Sequence, residues 1–152
     1  MRRFAILCSF AAVVVGCAKS EPKAPAAAPT PPPPPAITLA DVAGKWTVTG
    51  KNEARDTTLL TYQLNATADT TGWTIVFANK LTVPVRVAAV AGDSVVIDAG
   101  PYASFLRRGV QVTTHSVFRL QSGTMVGSTV AHYRTTSADS VRRIATEGTR
   151  TP

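Results

Sequence analysis

A period-two alternation runs from residue 110 to residue 135 and is interrupted only at Ser122-Gly123. Val112, Phe118, Leu120, Met125, Gly127, Ala131 and Tyr133 fall on one face. Gln111, Thr113, His115, Arg119, Ser128, His132 and Arg134 fall on the other, with Val117, Val126 and Val130 among them. Successive side chains of a strand point to opposite faces, so this pattern specifies two strands with one buried face and one wet face. A helix turns every 3.6 residues and would scatter the same residues around its circumference. A two-residue turn at Ser122-Gly123 sets Val112 against Tyr133, His115 against Val130 and Thr113 against His132.

The rest of the segment 37–152 follows the same rule. Threonine and valine dominate, and no stretch repeats apolar residues at i, i+3, i+4 and i+7. Strands are predicted at 45–50, 57–66, 72–78, 83–91, 94–99, 110–121, 124–135 and 140–146, separated by Gly, Asp, Asn and Ser punctuation. Gly92-Asp93 reads as a second tight turn, its glycine placed first as a type II′ turn requires. Only 39–43 and 102–107 are suited to a helical turn. The expectation is therefore an all-β, single antiparallel domain of about eight strands. With no helices to cover a sheet edge, it should close into a barrel or, alternatively, pack as a β-sandwich.

Upstream of this domain the composition is of a different kind. Arg2 and Arg3 precede an apolar run from Phe4 to Gly16, and Cys17 follows Val14-Val15-Gly16. Thirteen residues would span only about 20 Å as a helix, short of the roughly 30 Å hydrocarbon core of a bilayer. A cationic start, a short apolar stretch and small residues at its end make a secretory signal instead. The Val-Val-Gly-Cys tetrapeptide resembles the lipobox of bacterial lipoproteins. That resemblance implies cleavage after residue 16, acylation of Cys17, and anchoring by acyl chains worth about 0.8 kcal/mol per buried methylene. Ala18 after the cysteine implies sorting to the periplasmic leaflet of the outer membrane. Residues 17–36 hold the anchor and a Pro/Ala-rich linker carrying eight of the eleven prolines, an extended polyproline spacer. Cys8 leaves with the signal, so Cys17 is the only cysteine of the mature chain. No internal disulfide is available, and stability must come from a hydrophobic core.

Gly44-Lys45-Trp46 stands at the start of the first predicted strand. It resembles the G-x-W signature that opens lipocalins and related calycin barrels. The resemblance implies that Trp46 packs across the closed end of a barrel, beside an arginine supplied late in the chain. Arg134, Arg142 and Arg143 are the candidates for that arginine. The family's second motif, a threonine-aspartate-tyrosine-type turn, is absent, and the domain is shorter than a typical lipocalin.

The residues exclude several chemistries. The formal charge of +7 is reduced to +5 once Arg2 and Arg3 are removed, and the basic residues are scattered, so no nucleic-acid partner is expected. A membrane-spanning barrel is not expected either, since its lipid-facing strands would need an apolar band and aromatic girdles in place of Arg, Gln and Thr. Gly92-Asp93-Ser94 resembles the start of a GDSL hydrolase motif but lies in a turn, without the D-x-x-H that family requires. His115 and His132 are diagonal neighbours on the wet face, roughly 7–8 Å apart at the backbone. Zinc catalysis needs three protein ligands, and no third is expected on that face, so they read as surface histidines. Asp98 shares a face with valines and should pair with Arg86 or Arg119.

These exclusions leave a non-enzymatic binding role without metal or cofactor. In the first form, a barrel holds a small apolar or amphipathic ligand in a cavity of roughly 300 Å³ or more. Trp46, Trp73, Phe118 and Tyr133 are its expected lining. In the alternative form, the domain is a protein-interaction module of the cell envelope. It would engage its partner through the loop 100–109, whose Tyr102, Phe105, Arg107 and Arg108 have the composition of a recognition surface.

Overall fold

The computed structural model describes residues 36–136 and 138–152. The signal segment, Cys17 and the linker up to residue 35 lie outside the described residues. β6 (Gln111–Gln121) and β7 (Thr124–Tyr133) form the hairpin written by the alternation. Val112 faces Tyr133, His115 faces Val130 and Gln121 faces Thr124, the register expected from the turn. Ser122 (φ 49°) and Gly123 (φ 81°) both lie in the left-handed region, as a type I′ turn requires. At the second tight turn Gly92 has φ 56°.

The remaining strands extend this hairpin in chain order. They are β1 (Gly44–Asn52), β2 (Thr58–Ala66), β3 (Thr74–Phe77), β4 (Thr82–Ala91), β5 (Ser94–Ala103) and β8 (Val141–Arg150). Each pairs antiparallel with its neighbour, and β1 pairs with β8, so the eight strands close into an up-and-down barrel. Closure satisfies every strand edge, which an open sandwich does not. The interior of an eight-stranded barrel is just wide enough to be filled by side chains or to hold one small ligand.

Every strand is shifted at one or both ends from its predicted bounds, and the shifts of β3, β5 and β8 have a clear local reason. β3 is shorter than 72–78, because Gly72 and Trp73 belong to the turn before it. β5 runs on through Gly100-Pro101, read from sequence as a break. A bulge absorbs the dipeptide: Ala99 faces Thr114, and pairing resumes with Tyr102 against Val112. Gly100 has φ 105°, and a Cβ there would stand 2.7 Å from the Val112 carbonyl oxygen, so this position needs glycine. β8 continues four residues past the expected end, to pair Thr149 with Thr47 and Arg150 with Trp46.

The barrel is solid at one end. Trp46, Val48, Leu64, Trp73, Phe118 and Met125 are all 2% exposed or less and pack together there. Phe118 lies over Gly127, where a Cβ would collide with the Val117 carbonyl and the Phe118 ring. A single helical turn, α1 (Leu39–Val42), covers this end. Its capping box is complete: the Thr38 hydroxyl accepts from the Asp41 amide, and Asp41 accepts from the Thr38 amide at 2.8 Å. The Thr38 hydroxyl and amide together hold the Asp41 carboxyl below its ordinary pKa. Val42 is buried and its carbonyl accepts a 2.8 Å hydrogen bond from the Trp46 indole. The Arg150 guanidinium lies 4.4 Å from the centre of the Trp46 ring and donates to the carbonyls of Asp41 and Ala43. The arginine over the tryptophan is thus Arg150, not Arg134, Arg142 or Arg143. Arg150 reaches the tryptophan because β8 extends beyond Thr146 to pair with β1.

Candidate functional site

Beyond Phe118 the inward positions change in kind. On β6 they continue as Ser116, Thr114 and Val112, and on β7 as Thr129, Ala131 and Tyr133. A small cavity opens at this end of the barrel, walled also by Gly50, Tyr62, Phe77, Ile144 and Thr146. Its volume open to the centre of a water molecule is about 40 Å³. That is room enough to admit water, whose entry needs a cavity of only about 10–15 Å³.

Hydroxyl groups form the inner part of this cavity. Ser116 Oγ and Thr129 Oγ1 are 2.8 Å apart, both in buried residues. Thr146 is 5% exposed, and its Oγ1 has no hydrogen-bond partner. Further out, Tyr102 and Thr114 also line the cavity. Burial raises the pKa of Tyr62 and of Tyr102 above the ordinary tyrosine value, because a phenolate there would lose its hydration. Among the described residues no Lys, Arg, His, Asp or Glu lines the cavity.

The mouth is covered by the loop 104–110 between β5 and β6. The Ser104 hydroxyl accepts from the amides of Leu106 and Arg107, at 3.2 and 3.0 Å. The Ser104 amide donates to the Val110 carbonyl at 2.8 Å, closing the loop on itself. These bonds hold Phe105 over the opening, stacked on Phe77 with ring centres 5.0 Å apart. Phe77 also contacts Tyr62 and Tyr102, at 5.8 and 5.5 Å. Phe105 remains 43% exposed. Arg107 lies 4.4 Å from the centre of the Tyr133 ring, and Arg108 points to solvent.

The four residues expected to line a ligand therefore separate. Tyr133 lines the cavity. Trp46, Trp73 and Phe118 do not; they fill the solid end, where the Trp73 indole donates to the Asp69 carbonyl at 2.8 Å. The cavity is also smaller than the expected 300 Å³. Tyr102 and Phe105, expected on a partner-binding loop, line it instead. Ser116, Thr129 and Thr146 were not anticipated. Ser116 and Thr129 share the face of Phe118 and Ala131, so alternation alone places them inside; small hydroxyl residues on an apolar face were passed over.

A groove of about 350 Å³ on the outer wall contains Arg86, Asp98, His115 and His132. Arg86 pairs with Asp98 as expected, while Arg119 pairs with Asp93 at 3.2 Å. Asp98 Oδ1 also meets His115 Nδ1 at 2.7 Å, so a carboxylate does stand on the histidine face, contrary to expectation. Strand register explains this, since Arg86, Asp98 and His115 are direct cross-strand partners on β4, β5 and β6. Among the described residues no three His, Cys, Asp or Glu come together as metal ligands. Gly92-Asp93-Ser94 is a turn in which the Ser94 hydroxyl donates to Asp93 at 2.7 Å. No protein-family model, curated protein or solved structure matches this chain.

Proposed function

We propose that this chain is an envelope lipoprotein whose barrel binds a small apolar or amphipathic molecule at the end opposite α1. The observation that carries the reading is the contrast between the two ends. One is packed solid with tryptophan, phenylalanine and methionine, whereas the other keeps a cavity beneath an aromatic cover. A barrel built only for stability gains from filling both ends, since every void forfeits packing contacts. The lipocalin-like closing arrangement of Trp46 and Arg150 is consistent with this reading. This reading requires Phe105 to swing away from Phe77, because the closed cavity of about 40 Å³ is smaller than such a ligand. Acylated Cys17 and the proline-rich spacer hold the barrel at the periplasmic face of the outer membrane.

The test is native mass spectrometry of residues 18–152 purified under gentle conditions from the protein's own host. A co-purifying small molecule of defined mass, lost in Phe77→Ala, is the expected result. A bare protein that also fails to take up apolar probes would refute the ligand reading. The second reading, a protein-interaction module, draws on half-exposed Phe105 and exposed Arg108 at the same mouth. It requires a partner that is lost when Arg107 and Arg108 are both replaced by Ala.

A further inference from the structure

Resting on the ligand-binding reading above, we infer that the cavity takes an uncharged ligand and holds it with its polar end innermost. The residues order themselves by depth. Along β6 the inward positions run from Val112 at the mouth through Thr114 and Ser116 to Phe118 in the packed end. The Ser116–Thr129 pair is therefore the floor, immediately above Phe118 and Gly127. Thr146 faces Gly50 on one side and Gly127 on the other, so it joins this floor. The mouth, in contrast, is made of Phe77, Phe105 and Leu106.

The floor has unused hydrogen-bonding capacity. A hydroxyl offers one donor and two acceptor sites. In the Ser116–Thr129 contact one hydroxyl donates to the other, which leaves the second proton for another acceptor. Thr146 Oγ1 has no partner although its residue is 5% exposed. Buried polar groups ordinarily find partners, and an orphan beside a cavity marks the place where a guest's polar atom belongs. A hydroxyl, carbonyl or amide oxygen set there would satisfy it.

Charge on the guest is disfavoured by the same walls. Among the described residues no cation or carboxylate lines the cavity, so a charged head set on the Ser116–Thr129 floor would give up hydration without a counter-ion. The ligand class is thus an uncharged alcohol, ketone or amide on a short apolar body, with the apolar part toward Phe77 and Phe105.

Calorimetry on residues 18–152, which contain the whole closed barrel, tests this with 1-octanol, octanoate and octylamine. The three share a tail and differ in head charge. Octanol is expected to bind at least about tenfold more tightly than either ion, because each ion leaves its hydration shell without a counter-ion; tenfold corresponds to about 1.4 kcal/mol. Thr146→Val keeps the shape and removes the hydroxyl; it should weaken octanol by about fivefold to tenfold. Ser116→Ala, expected to weaken octanol similarly, provides the same readout should the valine variant fail to fold. Octanoate or octylamine binding as tightly as octanol would overturn the inference and leave the ligand-binding reading standing. Unchanged octanol affinity in both folded variants would overturn the polar-end-in orientation. Failure of all three probes would remove both readings.

Discussion

Trp46 and Arg150 show how far single residues can be read. G-x-W at the first strand placed Trp46 at a closed end, and the indole is fully buried there, donating to the Val42 carbonyl. Its cationic cover was not legible, because Thr149 and Arg150 look like a polar tail until pairing with β1 is known. Trp73 and Phe118 lie in the packed end and not at the cavity for a related reason. Alternation tells which residues point inward but carries no measure of depth along the barrel. A large aromatic at the solid end and one at the cavity have the same signature. Arg150→Ala removes a cation–π contact and two hydrogen bonds to carbonyls that α1 would otherwise leave open. The expected loss is about 1–3 kcal/mol, with altered near-ultraviolet dichroism from Trp46, measured by denaturant unfolding. Arg142→Ala, which removes neither the ring contact nor these hydrogen bonds, should change stability by less than about 0.5 kcal/mol.

The elements were the most legible level, and their ends were the least. Hairpin β6–β7 appears in its expected register because two constraints agree: a turn fixed at Ser122-Gly123 and a face that must be buried. β5 was cut short because Gly-Pro normally ends a strand, and only the bulge lets pairing continue to Ala103. That bulge matters to the site, because it brings Tyr102 to the cavity and Ser104 to the base of the covering loop. Gly100→Ala would place a methyl group 2.7 Å from the Val112 carbonyl in a left-handed backbone. It should cost about 1–3 kcal/mol in unfolding free energy. Amide exchange should rise first in residues 102–110, where the cover is anchored, and later in β1 and β2. Equal loss of protection around the whole barrel would argue against a separable cover.

At the scale of the whole molecule, the barrel is two materials in one wall. The α1 end is a tightly packed apolar core, and the opposite end is a cavity whose apolar walls carry phenols and aliphatic hydroxyls and, among the described residues, no charged side chain. This division makes a prediction about pH that neither end would make alone. Tyr62 and Tyr102 line the cavity, and burial raises the pKa of both. A phenol whose folded pKa lies above its unfolded value of 10.0 binds its proton more tightly in the folded state. Below that pH both states are protonated and the stability is complete. Above it the unfolded chain sheds protons that the barrel retains, so stability falls as pH rises toward the folded pKa. Each such tyrosine can remove up to about 1.4 kcal/mol per pH unit in that window. Denaturant midpoints should therefore hold steady from pH 7 to 9 and drop between pH 10 and 11. Tyr62→Phe should soften the drop, because its ring has no proton to lose. An equal drop in the variant and the native protein would place the alkaline sensitivity elsewhere than in the cavity wall. A bound uncharged ligand should leave the tyrosine-dependent drop in place while raising the whole curve, since it stabilises the folded state by mass action without taking up a proton.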